Sequence, residues 1–236
     1  GVNDLDAAVS SLEKVLEQDP ANASALSTLA QVSALRGDID RARVLLAEAL
    51  AEDPAHAPAW SLLGDIHRSE GRLDEAEEAY TQVINASPNP YMGHFNRALT
   101  RMALQAWDGA KGDLAALRRL GPDLPATSYI SGVISFYEQD HRSAVRALEE
   151  TLRLNPEFMS ARFFAGASHY ALGNLQQADT HLSRYVRFNP QSVAANRLLA
   201  AVRMQVGQVD DAETLLQRVL ASDQADHVAL ELMAGV

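Results

Sequence analysis

Residues 60–90 read WSLLGDIHRSEGRLDEAEEAYTQVINASPNP, and a Gly in the middle and a Pro near the end mark off two stretches with regularly spaced apolar residues. Each stretch has apolar residues at i, i+3, i+4 and i+7, which is the spacing of an amphipathic helix. Proline ends a helix because it lacks an N–H and disfavours helical dihedral angles in the residue before it. The segment therefore predicts a helix, a turn at Gly71, and a second helix that ends before Pro88.

The same segment recurs along the chain with a period of 34 residues. Six prolines keep this spacing: Pro20, Pro54, Pro88, Pro122, Pro156 and Pro190. Seven alanines do the same: Ala8, Ala42, Ala76, Ala110, Ala144, Ala178 and Ala212. A fixed period of this length is typical of a helical repeat array, and no run of residues alternates as a strand would. The sequence therefore predicts an all-α fold.

Composition restricts the function. The net charge of −11 argues against a nucleic-acid partner, because displacing phosphate counterions needs a basic surface. The chain has no Cys, so disulfides and thiolate metal sites are excluded. None of the seven His stands three or four residues from another, and no glycine-rich phosphate loop or nucleophile elbow occurs. We therefore predict no enzymatic activity, no cofactor and no metal site.

The segment resembles the tetratricopeptide repeat in the residues Trp60, Leu63, Gly64, Gly71, Ala76, Tyr80 and Pro88. The resemblance implies a right-handed superhelical solenoid of antiparallel helix pairs in a single domain. It places the second helix of a truncated repeat at 1–22, six full repeats over 23–226, and part of a further first helix at 227–236, as in a piece of a longer array. The full repeats begin at Ala23, Ala57, Tyr91, Pro125, Met159 and Val193.

The resemblance also implies a binding surface, because the first helices of such repeats line a concave face. Equivalent positions in successive repeats form columns, and some columns of the first helices face outward on that surface. In these outward-facing columns the first two full repeats have mostly polar or small residues. The later repeats have larger side chains, which we predict to bind a partner: Met92, Phe95, Leu99, Met102, Tyr129, Val133, Phe136, Tyr137, Phe163, Tyr170, Arg197 and Met204. An apolar protein or peptide segment is the expected partner, since exposed apolar patches mark interaction sites. An anionic polysaccharide held by Arg162 and Arg197 is the alternative.

One short run resembles a known ligand clamp. Asn96, Arg97 and Ala98 are similar to the Asn-Arg-Ala run of co-chaperone repeats that bind a C-terminal carboxylate. That clamp also needs basic or amide residues in the adjoining repeats, where this chain has Asp65 and Ile130. A carboxylate clamp is therefore not predicted.

A narrower resemblance covers residues 88–220 and is clearest over 163–216, FFAGASHYALGNLQQADTHLSRYVRFNPQSVAANRLLAAVRMQVGQVDDAETLL. This run is similar to the bacterial repeat lipoprotein of the exosortase and PEP-CTERM system, encoded near exopolysaccharide genes. The resemblance implies a non-enzymatic protein-protein interaction scaffold in exopolysaccharide export or surface protein sorting. It also implies a periplasmic, outer-membrane-associated location and a lipid anchor upstream of these residues.

Two other functions remain open at this point. The first is a cytosolic adaptor that binds a peptide of a chaperone or signalling partner in the concave groove. The second is the specificity arm of an enzyme whose catalytic domain lies outside these residues. Arginine outnumbers lysine by eighteen to two, which is typical of a GC-rich bacterial genome and fits a bacterial source.

Overall fold

The computed structural model describes the main chain of residues 2–222 and 225–234, and the side chains from residue 6 onward within those ranges. Residues 223–224 of the sixth predicted repeat and 235–236 of the predicted partial helix lie outside the described residues. Every regular element in the described ranges is helical, which confirms the predicted all-α class. The helices are α1 Val2–Gln18, α2 Ala23–Leu35, α3 Ile39–Glu52, α4 Ala57–Ser69, α5 Leu73–Ala86, α6 Tyr91–Ala103, α7 Trp107–Leu120, α8 Pro125–Tyr137, α9 His141–Leu154, α10 Met159–Ala171, α11 Leu175–Phe188, α12 Val193–Gln205, α13 Val209–Ser222 and α14 His227–Ala234.

The helices pack in consecutive pairs. The pairs are α2 with α3, α4 with α5, α6 with α7, α8 with α9, α10 with α11, and α12 with α13. The second helix of several pairs also packs against the first helix of the following pair, as α9 does against α10 and α11 does against α12. Most helices therefore bury an apolar stripe on two sides, which is how a repeat array builds its core.

Tight turns join the two helices of each pair. The turn residues have positive φ, with φ between 75° and 82° at Gly37, Gly71, Gly173 and Gly207. At Gly71 the N–H donates to the carbonyl oxygen of Arg68, and the N–H of Arg72 donates to that of His67 at 2.9 Å. These bonds cap the carbonyl groups at the end of α4, and glycine allows the left-handed backbone at no steric cost.

A column of small residues sets the distance between paired helices. A Cβ atom built on Gly132 of α8 would lie 2.6 Å from Cγ of Leu148 on α9. A Cβ atom built on Gly166 of α10 would likewise lie 2.6 Å from Cγ of Leu182 on α11. The two helices of these pairs therefore pack at a distance that leaves no room for a methyl group, which explains the small-residue column.

The chain divides into two compact units, residues 1–121 and residues 122–236, called unit 1 and unit 2 below. Unit 1 buries a core that includes Leu26, Leu46 and Ile66. Unit 2 buries a core that includes Leu182 and Leu199. Each unit thus has an apolar cluster of its own. Across the described residues, no helix combines the length and the apolar character that crossing a lipid bilayer requires.

Candidate functional site

An apolar groove of about 780 Å³ lies on unit 2. The residues that line it come from α8, α10, α12 and α14, with one contribution from the start of α9. The lining consists of Phe136, Tyr137, His141, Phe163, Phe164, Ala167, Tyr170, Ala171, Ala194, Arg197, Leu198, Ala201, Val228 and Leu232. We call this surface the aromatic groove. Concave surfaces of this size with few polar groups are typical of binding sites.

Phe164 is the centre of the aromatic wall. Its ring centroid lies 5.4 Å from that of Phe136, 6.2 Å from that of Tyr137 and 5.3 Å from that of Phe163. Most of these pairs meet edge to face, the arrangement that the charge distribution of aromatic rings favours. The rings support one another, so the wall is ordered before a ligand arrives and less rotamer entropy is lost on binding.

Small side chains form the floor of the groove. Ala167 and Ala171 come from α10, and Ala194 and Ala201 come from α12. A methyl side chain leaves space above the helix surface, so a ligand can approach the backbone of both helices. We call these four residues the alanine floor.

Arg197 and Tyr170, two polar residues of the groove, already have partners within the protein. Nη1 of Arg197 lies 3.1 Å from Oδ2 of Asp226, whose side chain is almost fully buried. The backbone N–H of Ala229 donates to the Asp226 carboxylate at 2.8 Å, and this bond, with Arg197 nearby, holds the pKa of Asp226 below its ordinary value. The side-chain amide of Gln205 donates to the Tyr170 hydroxyl at 3.0 Å. The groove therefore offers a mainly apolar surface with its cation neutralised.

Five of the predicted binding residues meet in this groove. They are Phe136, Tyr137, Phe163, Tyr170 and Arg197. Met204 is partly buried and packs against the core of unit 2 instead. Whether the groove binds a partner through these residues stays a prediction.

The expected exposure of two residues is wrong. Tyr129 is only 7% exposed and Val133 only 2% exposed. The ring of Tyr129 is covered by Phe158, at a centroid distance of 4.6 Å, and burial raises the pKa of the Tyr129 hydroxyl to about 12. Val133 is buried on α8, which packs between α9 and α10. Both side chains belong to the core of unit 2.

The remaining predicted residues lie on α6 in unit 1. Met92 is exposed, whereas Phe95, Leu99 and Met102 are half-buried. Unit 1 also has a smaller groove of about 250 Å³ with a largely polar lining, made by Ser27, Thr28, Gln31, Pro58, Ser61, Leu62 and Asp65. This lining agrees with the polar columns of the first two full repeats.

Several basic residues that could hold an anionic ligand are used inside the fold. The Arg97 guanidinium donates to the buried carboxylate of Asp113 at 2.7 Å, and Arg101 and His94 contact the same carboxylate. Arg162 is only 8% exposed and bonds to the carbonyl oxygen of Pro156. These contacts leave neither a carboxylate clamp at Arg97 nor a free pair of arginines for a polysaccharide.

Two features of unit 2 were not predicted from the sequence. Phe164 directly follows Phe163 but lies outside the outward-facing columns, so only the structure shows it as the centre of the wall. The spacing of the histidines along single helices predicts no cluster, whereas His169 on α10 and His181 on α11 meet across two helices. Their rings stack, with a distance of 5.6 Å between the centroids and an angle of 9° between the ring planes.

Glu149 of α9 joins these two histidines outside the aromatic groove. Its Oε1 atom lies 2.9 Å from Nε2 of His181 and 3.2 Å from Nε2 of His169. The hydrogen bond from His181, strengthened by His169, lowers the pKa of Glu149 to about 2. The carboxylate is therefore ionised at neutral pH, beside two buried histidine residues.

Comparison with protein families identifies the repeat. Two family models described as tetratricopeptide repeat match the chain, one over residues 2–66, 33–99 and 185–235, and the other over residues 132–193. No curated protein matches the sequence significantly.

Solved structures share the fold at low sequence identity. The Cut9–Hcn1 hetero-tetramer of the APC/C aligns with 98% of this chain at 18% identity and a TM-score of 0.87, although the chain spans only 46% of that protein. The pilF protein of Pseudomonas aeruginosa aligns with 93% of this chain at 19% identity and a TM-score of 0.78, over all of its own length. YrrB, a repeat protein described with an unusual peptide-binding site, aligns with 80% of this chain and 97% of its own at 16% identity and a TM-score of 0.55. At these identities the likeness shows the fold.

Proposed function

The chain belongs to the tetratricopeptide repeat family, whose repeats form scaffolds for protein-protein interaction, and we propose that its aromatic groove binds the apolar face of a protein segment. The observation that carries the proposal is the groove itself, with an aromatic wall, an alanine floor and a neutralised arginine in about 780 Å³. An amphipathic helix fits such a groove, because it presents apolar anchors at i, i+3 or i+4, and i+7.

The wall is expected to supply most of the affinity. Tyr137 is the last residue of α8 and remains 54% exposed at the edge of the groove. A ligand that covers its ring removes apolar surface from water at little entropic cost, since the side chain has only two torsions and is already held by Phe136 and Phe164. We therefore expect Tyr137 to be an anchor of the interface.

Selection of a random peptide library on the purified chain tests the proposal. Enriched peptides should share apolar residues at helical spacing, and Tyr137→Ala should weaken their binding by at least about 2 kcal/mol, roughly thirtyfold. Phe188→Ala is the matched control, because Phe188 is also an exposed aromatic at the end of a helix, α11, but lies outside the groove. Equal losses in the two variants would contradict the assignment of the site.

The dependence of binding on salt concentration distinguishes an apolar protein segment from an anionic polysaccharide. Binding of an apolar segment should change little between about 0.05 and 0.5 M salt, because the charges in the groove are already paired. An anionic polysaccharide held by arginine would bind much more weakly at the higher salt concentration. The pairing of Arg197 with Asp226 and the burial of Arg162 favour the protein segment.

For the cellular setting, we propose a non-enzymatic scaffold in the bacterial periplasm that acts in exopolysaccharide export or surface protein sorting and is tethered to the outer membrane by a lipid anchor upstream. The support is the resemblance of residues 163–216 to the repeat lipoprotein of the exosortase and PEP-CTERM system. Fractionation of the source bacterium with an antibody against the chain tests the location. Recovery in the cytosol would replace this setting with that of a cytosolic adaptor.

A further inference from the structure

A buried histidine replaces an apolar residue in the fifth full repeat. His181 stands in a column of the 34-residue period that is apolar in four of the other five full repeats, with Leu45, Ala79, Ala147 and Leu215, and that holds Asp113 in the third. The residue is 9% exposed, and its Nδ1 atom has no hydrogen-bond partner among the described residues. Burying an imidazole costs free energy that an alanine or leucine there would not cost. The substitution therefore calls for a compensating interaction at the other ring nitrogen, Nε2.

Three potential ligand atoms converge at that nitrogen. One ring nitrogen of His181, one of His169 and an oxygen of Glu149 all lie within 4.8 Å of one another, and the nitrogen that contacts Glu149 is Nε2 in both histidines. They come from three helices, α11, α10 and α9, which pack in sequence within unit 2. The backbone of the repeat thus holds the three side chains in place before any ion arrives.

The oxygen–nitrogen separations in the cluster match those between ligand atoms around a tetrahedral metal ion. Zinc binds imidazole nitrogen and carboxylate oxygen at about 2.0–2.1 Å, so neighbouring ligand atoms in a tetrahedron lie about 3.3 Å apart. The oxygen of Glu149 lies 2.9 Å and 3.2 Å from the two nitrogens. The Glu149 side chain is 45% exposed, so it can move outward by the small distance that makes room for an ion.

We propose that Glu149, His169 and His181 form a binding site for one divalent transition-metal ion, with Zn²⁺ the expected occupant. Two imidazoles and one carboxylate suit zinc, whereas Mg²⁺ and Ca²⁺ prefer oxygen ligands alone. The half-exposed position of Glu149 leaves solvent access, so a water molecule can complete the coordination.

A neighbouring amide can orient one of the imidazoles. The side-chain amide nitrogen of Asn174 lies 3.3 Å from Nδ1 of His169. When Nε2 binds a metal ion, Nδ1 carries the proton and needs an acceptor, which the Asn174 oxygen supplies after rotation of the amide by half a turn. Asn174 is therefore a positioning residue for His169.

The third full repeat shows what a purely structural cluster looks like in the same columns. Arg101 and Asp113, two repeats before His169 and His181, form an ion pair with Nη1 and Oδ2 at 2.7 Å. A guanidinium cannot bind a cation, so that pair has only a structural role. If the histidine cluster is its equivalent, the chain has no specific affinity for zinc.

Zinc titration of the untagged, EDTA-treated chain distinguishes a zinc site from a purely structural cluster. Calorimetry should give one Zn²⁺ per chain, MgCl₂ in place of zinc should give no binding, and Co²⁺ should develop the visible absorption of a nitrogen-ligated ion. Glu149→Gln should weaken zinc binding at least about tenfold, and so should His181→Gln. Glu149→Gln is the primary variant because its half-exposed site keeps the fold intact.

His67→Gln is the matched control, because His67 occupies the column of His169 in the second full repeat, outside the histidine cluster. It should bind zinc as the wild type does, and zinc should raise the melting temperature of both by more than it raises that of Glu149→Gln. The proposal is overturned if the wild type binds no zinc, or if Glu149→Gln and His67→Gln bind it equally well.

Discussion

At the scale of single residues, two glycines in helices have opposite roles. Gly132 in α8 faces Leu148 so closely that a Cβ atom would lie 2.6 Å from Cγ and 2.9 Å from Cδ2 of that leucine. Gly112 in α7 has nothing within 4 Å of the same position. The sequence alone shows two glycines in helical segments, and only their neighbours decide what each one does.

We expect the substitution Gly→Ala to have opposite effects at these two sites. Alanine favours a helix over glycine by about 1 kcal/mol, so Gly112→Ala should stabilise the chain by about 0.5–1 kcal/mol. At Gly132 overpacking costs about 1–3 kcal/mol and exceeds that gain, so Gly132→Ala should destabilise it. Urea denaturation of both variants measures the difference, and stabilisation by Gly132→Ala would contradict the close packing of α8 on α9.

Tyr129 shows why the site could be predicted only in part. The period placed Tyr129 and Phe163 in one outward-facing column, and Phe163 does line the groove. Tyr129 is covered by Phe158, a residue of the connection between α9 and α10, which a comparison of helix columns cannot detect. The all-α class was predictable because it depends on the period alone. The exposure of individual side chains was not predictable from the period, because exposure also depends on connecting segments and on contacts between helices.

At the scale of elements, the turns within helix pairs depart from glycine in two places. Gln105 has φ of 58° and Gln139 has φ of 63°, where the other repeats have glycine. A side chain in this left-handed conformation costs about 1–2 kcal/mol, whereas glycine costs about 0.5–1 kcal/mol more backbone entropy on folding. The balance favours glycine by a small margin.

Exchanging these turn residues should therefore change stability in a predictable direction. Gln139→Gly should stabilise the chain by about 0.5–1 kcal/mol, and Gly173→Gln should destabilise it by a similar amount. Thermal or urea denaturation checks both, with no change expected in helical content. Destabilisation by Gln139→Gly would mean that the glutamine side chain contributes more than its backbone strain costs.

At the scale of the whole molecule, the core is divided between two compact units. Residues 1–121 and 122–236 each bury their own apolar cluster. In a repeat array the stabilising contacts run between neighbouring helices, so stability is close to a sum of local terms. Neither unit therefore depends on a single core shared by the entire chain.

Each unit should fold when it is produced alone. Fragments 1–121 and 122–236 are expected to be helical by circular dichroism and to unfold cooperatively in urea. Fragment 122–236 should also retain the aromatic groove and bind the selected peptides. A fragment that shows no cooperative transition would contradict the independence of its core.

The alanine floor has a consequence for engineering. Ala194 is exposed and lies at the bottom of the aromatic groove, so Ala194→Leu should add bulk to the groove without disturbing the core. The larger side chain at position 194 should exclude the natural ligand. It should still admit a peptide in which the apolar side chain opposite this position has been shortened. The pair of altered partners would be orthogonal to the parental pair, and a cell could carry both complexes side by side with no cross-talk.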